Sequence, residues 1–302
     1  MTILKYKDEL IQDIKDKKEL RTLDEDFITQ KFDVFFTEKS HEQDKKRFLK
    51  KLDESKTYKQ FTKSREYKFL IKELRAELRK VYGVFILEGY AKREKILNKL
   101  NPEDSFEERL EIHKELFELH KSTKERMTHY ETLYQTIFDT LEKFGCMDKK
   151  FVFMDLACGL NPVSSIYIKE KIKKYYASDI STEDCEFLKR YFDKTDIDAT
   201  LFPADLTDEK IFPKLKKINV DICFIFKTLD GLERIKRDIT ENLLKNISAK
   251  YFAITFPTLS IGGVREIKEH RRQWFERLLD KLDWKYEKFT LESELLYVVK
   301  KK

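Results

Sequence analysis

No apolar run in this 302-residue chain approaches the roughly 20 residues that a membrane span needs. The start, Met1 to Asp8, lacks the apolar core of a signal peptide, because charges interrupt it. The four cysteines (Cys146, Cys158, Cys185 and Cys223) are scattered and lack zinc-ligand spacing. They read as reduced thiols of a cytoplasmic protein, with no metal. The dinucleotide fingerprint G-x-G-x-x-G is missing, and so is the phosphate loop G-x-x-x-x-G-K-[ST]. Nothing is built to cradle a pyrophosphate or triphosphate, which argues against NAD and ATP. What the chain does have is charge (39%) and aromatics (13%), enough apolar surface to fold rather than stay disordered. Its net charge of +6 permits a polyanionic partner without establishing one.

Glycine and proline are nearly absent from residues 1–144, where only Gly83, Gly89 and Pro102 occur. Lys, Glu and Leu dominate there, with apolar residues at helical spacing. Phe69, Leu70, Leu74, Leu78 and Val81 form one such stripe and predict a helix with a buried face. Asn101 to Ser105 breaks the pattern as a linker or turn. Ser105 and Glu108 have capping-box spacing for the next helix, and another helix is expected to begin near Ser122 or Thr123. After Gly145 the pattern becomes short apolar runs alternating with amphipathic segments. Strands are predicted at 151–155, 174–178, 199–202, 220–226, 250–255, 284–289 and 295–299. The alternation implies a mostly parallel sheet flanked by helices, and the last two runs an antiparallel hairpin. The expected division is a helical domain over 1–104 and an α/β domain over 105–302.

The stretch from Phe151 to Pro162 organises the α/β part. An apolar strand ends at Asp155, a small-residue turn follows (Ala157, Cys158, Gly159), and Pro162 suits the first turn of a helix. Open α/β sheets bind ligands at such carboxyl ends. The next two strands end in Asp179 and Asp205. Asp179 lies near the spacing at which an acid bonds ribose hydroxyls, and a carboxylate at Asp205 could accept from an adenine amine. Each aspartate alone is as readily a helix cap or turn former. The ordered set fits a cofactor with ribose and adenine but no phosphate, namely S-adenosylmethionine.

Several further stretches are similar to the 16S rRNA methyltransferases of aminoglycoside resistance, which modify guanine N7 at the decoding site. They are Leu78 to Phe85, His120 to Arg126, Asp155 to Pro162, Ile225 to Leu229 with Leu232 to Arg234, Phe256 to Gly263, Trp274 to Glu276, and Glu294 to Tyr297. The resemblance covers residues 75 to 302. It implies a Rossmann-like S-adenosylmethionine-dependent methyltransferase sheet with an all-helical N-terminal domain that docks on 16S rRNA in the small ribosomal subunit. It implies that Arg126 binds the methionine carboxylate, a bidentate task suited to guanidinium. His120 and Ser122 would line the same end, with Phe85 approaching from the helical region. Ala157 and Gly159 would offer backbone to the cofactor, Asp179 would hold the ribose, and Asp205 with Leu206 the adenine. Phe226 and Lys227 would stand between cofactor and target base, with Lys227 positioning the guanine or a phosphate. Guanine N7 has a lone pair and no proton, so the absence of a catalytic dyad is expected. The implied enzyme is a cytoplasmic monomer. Another RNA target, or a ribosome-binding protein that has lost catalysis, is the alternative.

The chain departs from the family pattern at Asp230-Gly231, Leu259 and Val264, and over Glu266 to Arg271. These are expected RNA-facing positions. Arg265, Lys268, Arg271 and Arg272 either supply substitute phosphate contacts or form a solvated helix face with Glu266 and Glu269.

Overall fold

A computed structural model describes residues 6–17, 20, 21, 23, 25–37, 42–260 and 266–302. The chain divides into two compact units, Met1–Ile86 with Ser181–Glu183, and Leu87–Ile180 with Asp184–Lys302.

The described part of the first unit is helical: Lys7–Lys15, Glu25–Thr37, Glu42–Glu54, Tyr58–Phe61 and Arg65–Val81. Ser64 caps the last of these by accepting from the Tyr67 N–H at 3.1 Å. Leu70, Leu74 and Leu78 are buried as their spacing predicts, and Ile71 joins them. Phe69 is 39% exposed, because 100° per residue turns it off that stripe. The Val81 side chain lies outside the described residues.

The second unit is built on a seven-stranded sheet. The strands are β1 (Phe151–Leu156), β2 (Ile172–Asp179), β3 (Ala199–Pro203), β4 (Val220–Phe226), β5 (Ala249–Pro257), β6 (Lys285–Thr290) and β7 (Glu294–Lys300), in the order β3-β2-β1-β4-β5-β7-β6. The first five are parallel, β7 runs antiparallel to β5, and β6 pairs antiparallel with β7. The predicted strands and closing hairpin are therefore present. Central strands carry near-continuous apolar runs because helices cover both faces. On one face Phe256 meets Phe275 of the helix Gln273–Lys281 edge-on at 5.1 Å, and Phe275 meets Tyr297 at 5.2 Å. On the other, Phe153 and Phe224 pack at 5.3 Å, with Tyr134 of the helix Tyr130–Lys143 beyond Phe224.

The expected boundary at 104/105 lies inside this unit. Arg93–Leu97 packs against Phe106–Phe117 across the turn at Asn101, and Lys99 pairs with Glu115 at 2.7 Å. Ser105 and Glu108 form the predicted capping box. The helix expected near Ser122 spans Lys121–Arg126, with His120 at its N-cap and no side-chain cap bond. Pro162 does occupy a first helical turn, but Asn161–Tyr167 is a 3-10 helix rather than an α-helix.

Candidate functional site

Parallel pairing brings the carboxyl ends of β1 to β4 to one edge of the sheet. Ala204, just past β3, donates its N–H to the Asp179 carbonyl oxygen at 2.9 Å, which sets the turn after β3 beside the end of β2. The turn after β1 is tied down from two sides. Cys158 N–H donates to the Ser178 carbonyl oxygen at 3.0 Å, and Gly159 N–H to Asp179 Oδ2 at 2.8 Å. Ala157 and Gly159 both have φ of +50°. A Cβ on Gly159 would fall 2.8 Å from His120 Cε1 and Nε2, so only glycine lets the imidazole lie against this turn.

His120 is buried, and burial, helped by Arg126 and Lys227, pushes its pKa down to about 3. It is therefore neutral at physiological pH. Asp155 at the end of β1 is enclosed. Its Oδ2 accepts from Asn161 Nδ2 at 2.8 Å and from the Tyr175 hydroxyl at 3.0 Å. Burial nevertheless raises its pKa to about 7. Asp205 closes a tight turn, its Oδ1 accepting from Thr207 N–H at 2.8 Å and Thr207 Oγ1 at 2.7 Å. The turn-former reading of this residue thus holds for one oxygen. The other, Oδ2, is buried with no hydrogen-bond partner among the described residues. The Leu206 side chain belongs to the core.

A second group gathers around Arg126, which is 1% exposed. Its Nε donates to Glu294 Oε1, its Nη1 to Asn161 Oδ1 at 3.4 Å, and its guanidinium lies 4.8 Å from the Phe226 ring centroid. Nη2 is buried without a partner among the described residues. Burial by itself would raise the Glu294 carboxyl, but Arg126, His129, Lys227 and Thr255 together override it and hold the pKa far below the usual carboxylate range. Lys227 directly follows β4 with φ of +56°, a left-handed conformation that costs a non-glycine residue energy. Its N–H donates to the Thr255 carbonyl oxygen at 2.9 Å. Its ammonium bonds Glu125 Oε2 at 2.7 Å and lies 3.3 Å from Glu294 Oε1. Lys227 is thus a buried, doubly paired cation rather than a solvated strand-end lysine.

Asp179, Asp205, Ala157, Gly159, His120, Arg126, Phe226 and Lys227 all belong to this unit, on or next to the strand ends. Ser122 is half-buried in the helix Lys121–Arg126. Phe85 belongs to the first unit, in the turn Gly83–Phe85. Sequence reasoning quoted Glu125 and Glu294 within motifs but assigned them no role, and it missed Tyr130, whose hydroxyl donates to Asn161 Oδ1 at 3.2 Å. An acid opening the otherwise apolar run 294–299 was the available signal for Glu294.

Arg272 is corrected as a phosphate contact. It is 4% exposed, bonds Asp230 Oδ1 at 2.6 Å and the Pro257 carbonyl oxygen at 3.1 Å, and lies over Phe256. The departure at Asp230 is thereby explained: it is the partner of a buried arginine. Lys268, His270 and Arg271 are exposed, and Leu259 is 44% exposed. Gly262, Gly263, Val264 and Arg265 lie outside the described residues, as does the chain start at 1–5. Among the described residues, no helix is long and apolar enough to cross a membrane, and no cluster of His, Cys, Asp or Glu could hold a metal.

The sheet order, the reversed last strand and the turn after β1 define a Rossmann-like methyltransferase. The same fold occurs in the 16S rRNA methylase RmtF, solved in complex with S-adenosyl-L-homocysteine (TM-score 0.69, 21% identity, 99% of each chain), and in RmtB (0.65, 21%, 98% of each). The family model described as Ribosomal RNA methyltransferase (FmrO) matches residues 64–298, and the chain belongs to that family. Similar proteins named 16S rRNA (guanine(1405)-N(7))-methyltransferase come from Serratia marcescens, 31% identical over 62% of this chain and 70% of that one, and from Frankia casuarinae, 27% identical over 61% and 62%. The match thus spans less than two thirds of the Frankia relative.

Proposed function

We propose that this chain is an S-adenosylmethionine-dependent methyltransferase that modifies guanine N7 at the decoding site of 16S rRNA in the small ribosomal subunit, acting as a cytoplasmic monomer. The observation that carries the reading is a complementary pair of buried atoms without partners among the described residues: the donor Arg126 Nη2 and the acceptor Asp205 Oδ2. Buried polar atoms are rarely left unpaired, so such a pair fits a ligand with a carboxylate at one end and an amine at the other. The names of the relatives, and the complex formed by RmtF, support the same reading.

Arg126 holds the methionine carboxylate through its free edge, beside His120 and Ser122. Ala157 and Gly159 present backbone, Asp179 takes ribose hydroxyls, and Asp205 takes the adenine amine beside Leu206. When bound, S-adenosylmethionine supplies an electrophilic sulfonium methyl group. Phe226 and Lys227 stand on the side of the target base. Guanine N7 carries a lone pair and no proton, so the protein supplies no general base. His120, whose basicity burial suppresses, is consistent with that. Its residues contribute orientation and the exclusion of water. In the first unit, exposed Arg65, Lys68 and Lys72 share one face of a helix with exposed Phe69, a surface suited to RNA phosphates. Lys46 and Lys50 are already paired within their own helix.

The test is methyl transfer from labelled cofactor to 30S subunits, with the modified base mapped. Label at N7 of a decoding-site guanine is expected. Label in tRNA, or none in 30S subunits, overturns the reading.

A further inference from the structure

Glu125 and Glu294 have no part in the roles above, yet both meet Lys227. Its ammonium lies 2.7 Å from Glu125 Oε2 and 3.3 Å from Glu294 Oε1. The two acids differ in freedom. The Glu294 side chain is wholly enclosed and also receives Arg126 Nε. The Glu125 side chain is 37% exposed, against 6% for Lys227. Glu125 can therefore rotate into water and be hydrated there, whereas Glu294 cannot. Lys227 stays behind, because its backbone is pinned to Thr255 and its ammonium also faces the enclosed Glu294.

We propose that Glu125 is a specificity-determining residue that covers the Lys227 ammonium until a positioned RNA phosphate displaces it. The inference rests on the rRNA methyltransferase reading for the identity of the incoming anion. The exchange is balanced in charge, one carboxylate for one phosphodiester, and moves no proton. A largely desolvated ammonium gains most from an anion at hydrogen-bonding distance. A loosely placed phosphate cannot offset loss of the 2.7 Å Glu125 contact. A phosphate held in register by a folded subunit can, because backbone contacts fix register and orientation. Glu125 thereby weakens binding of every RNA, and only the correctly shaped one recovers the difference.

The experiment measures Kd for 30S subunits and for protein-free 16S rRNA, and KM for 30S subunits. It uses the full chain as wild type, Glu125→Gln, Lys227→Gln and the double variant. Glu125→Gln should bind both RNAs more tightly by roughly three- to fivefold, more so for protein-free rRNA, with the change falling in KM. The gain should vanish in the Lys227→Gln background. Glu292→Gln, an exposed acid at the turn before β7, controls for general charge, and any gain it gives should be the same in both backgrounds. Glu125→Asp, whose shorter chain loosens the contact, should give a smaller gain of the same sign, and it carries the test if Glu125→Gln does not fold. Weaker binding by the Glu125 variants, or a gain that survives Lys227→Gln, overturns the proposal. Failure of the methyltransferase reading would show separately, as wild-type binding without methylation, and the binding cycle would still decide the role of Glu125.

Discussion

The two ends of the candidate site are built by different means. At the Asp179–Asp205 end, polar groups sit at the ends of adjacent parallel strands, and backbone hydrogen bonds hold them. At the Arg126–Lys227 end, charges are buried together, and their partners come from distant parts of the chain. Arg126 and Glu294 are 168 residues apart. The first end needs only the sheet. The second exists only when the helix Lys121–Arg126, the end of β4 and the start of β7 have all docked, because a buried charge is tolerable only beside its opposite. Asn161 joins the two ends, accepting from Arg126 and Tyr130 while donating to Asp155.

Removing a charge should expose this difference most. Glu294→Ala leaves Arg126 and Lys227 buried without their shared anion, and should lower stability by about 3–5 kcal/mol in urea unfolding. A loss under 1 kcal/mol would mean that the ion-pair end is not what holds these elements together. The two ends should also respond oppositely to pH. Glu294 titrates below its ordinary 4.5, so its stabilisation is present above that value and is lost progressively as pH falls from there through its lowered folded value. Asp155 rises from an ordinary 3.8 to about 7, so the unfolded chain gives up its proton first. Its contribution is complete below about pH 4 and lost as pH rises to about 7. Asp155→Asn should therefore flatten the decline in stability between pH 4.5 and 7.5 by about 1–3 kcal/mol, as read from urea midpoints at each pH. An unchanged slope would count against the raised pKa.

A smaller effect is expected at the nucleoside end. Asp179→Ala should weaken cofactor binding by roughly tenfold in calorimetry, about 1.4 kcal/mol, and RNA binding less. Equal losses of both would remove the ribose assignment. The smallest effect belongs outside both ends. Leu259→Lys, at an exposed position, should change stability by less than about 0.5 kcal/mol while tightening 30S binding. A weaker complex would show that Leu259 does not face RNA.

The strands and the capping box at Ser105 were readable because each rests on local periodicity or on a cap three residues away. The turn after β1 was readable for the same reason, since its small residues are contiguous. Asp179 and Asp205 were half-readable: as turn and backbone partners each satisfies the ordinary reading, and the open oxygen of Asp205 is what adds to it. Arg272 misled because a run of basic residues looks the same in sequence whether it faces solvent or an aspartate. The burial of Lys227 was not readable, because it depends on Glu125 and Glu294, which are far away in the chain.

The amino-acid sequence by itself determined the alternation of strands and helices, the reversed hairpin at the end and the order of acids along the strand ends. These follow from side-chain periodicity and backbone hydrogen bonding, which act over a few residues. Only the tertiary structure decided which charges are buried together, which atom of Arg126 and of Asp205 is left open, and that Glu125 stands beside Lys227. Desolvation and ion pairing are set by what is near in space, and no short-range pattern encodes that neighbourhood.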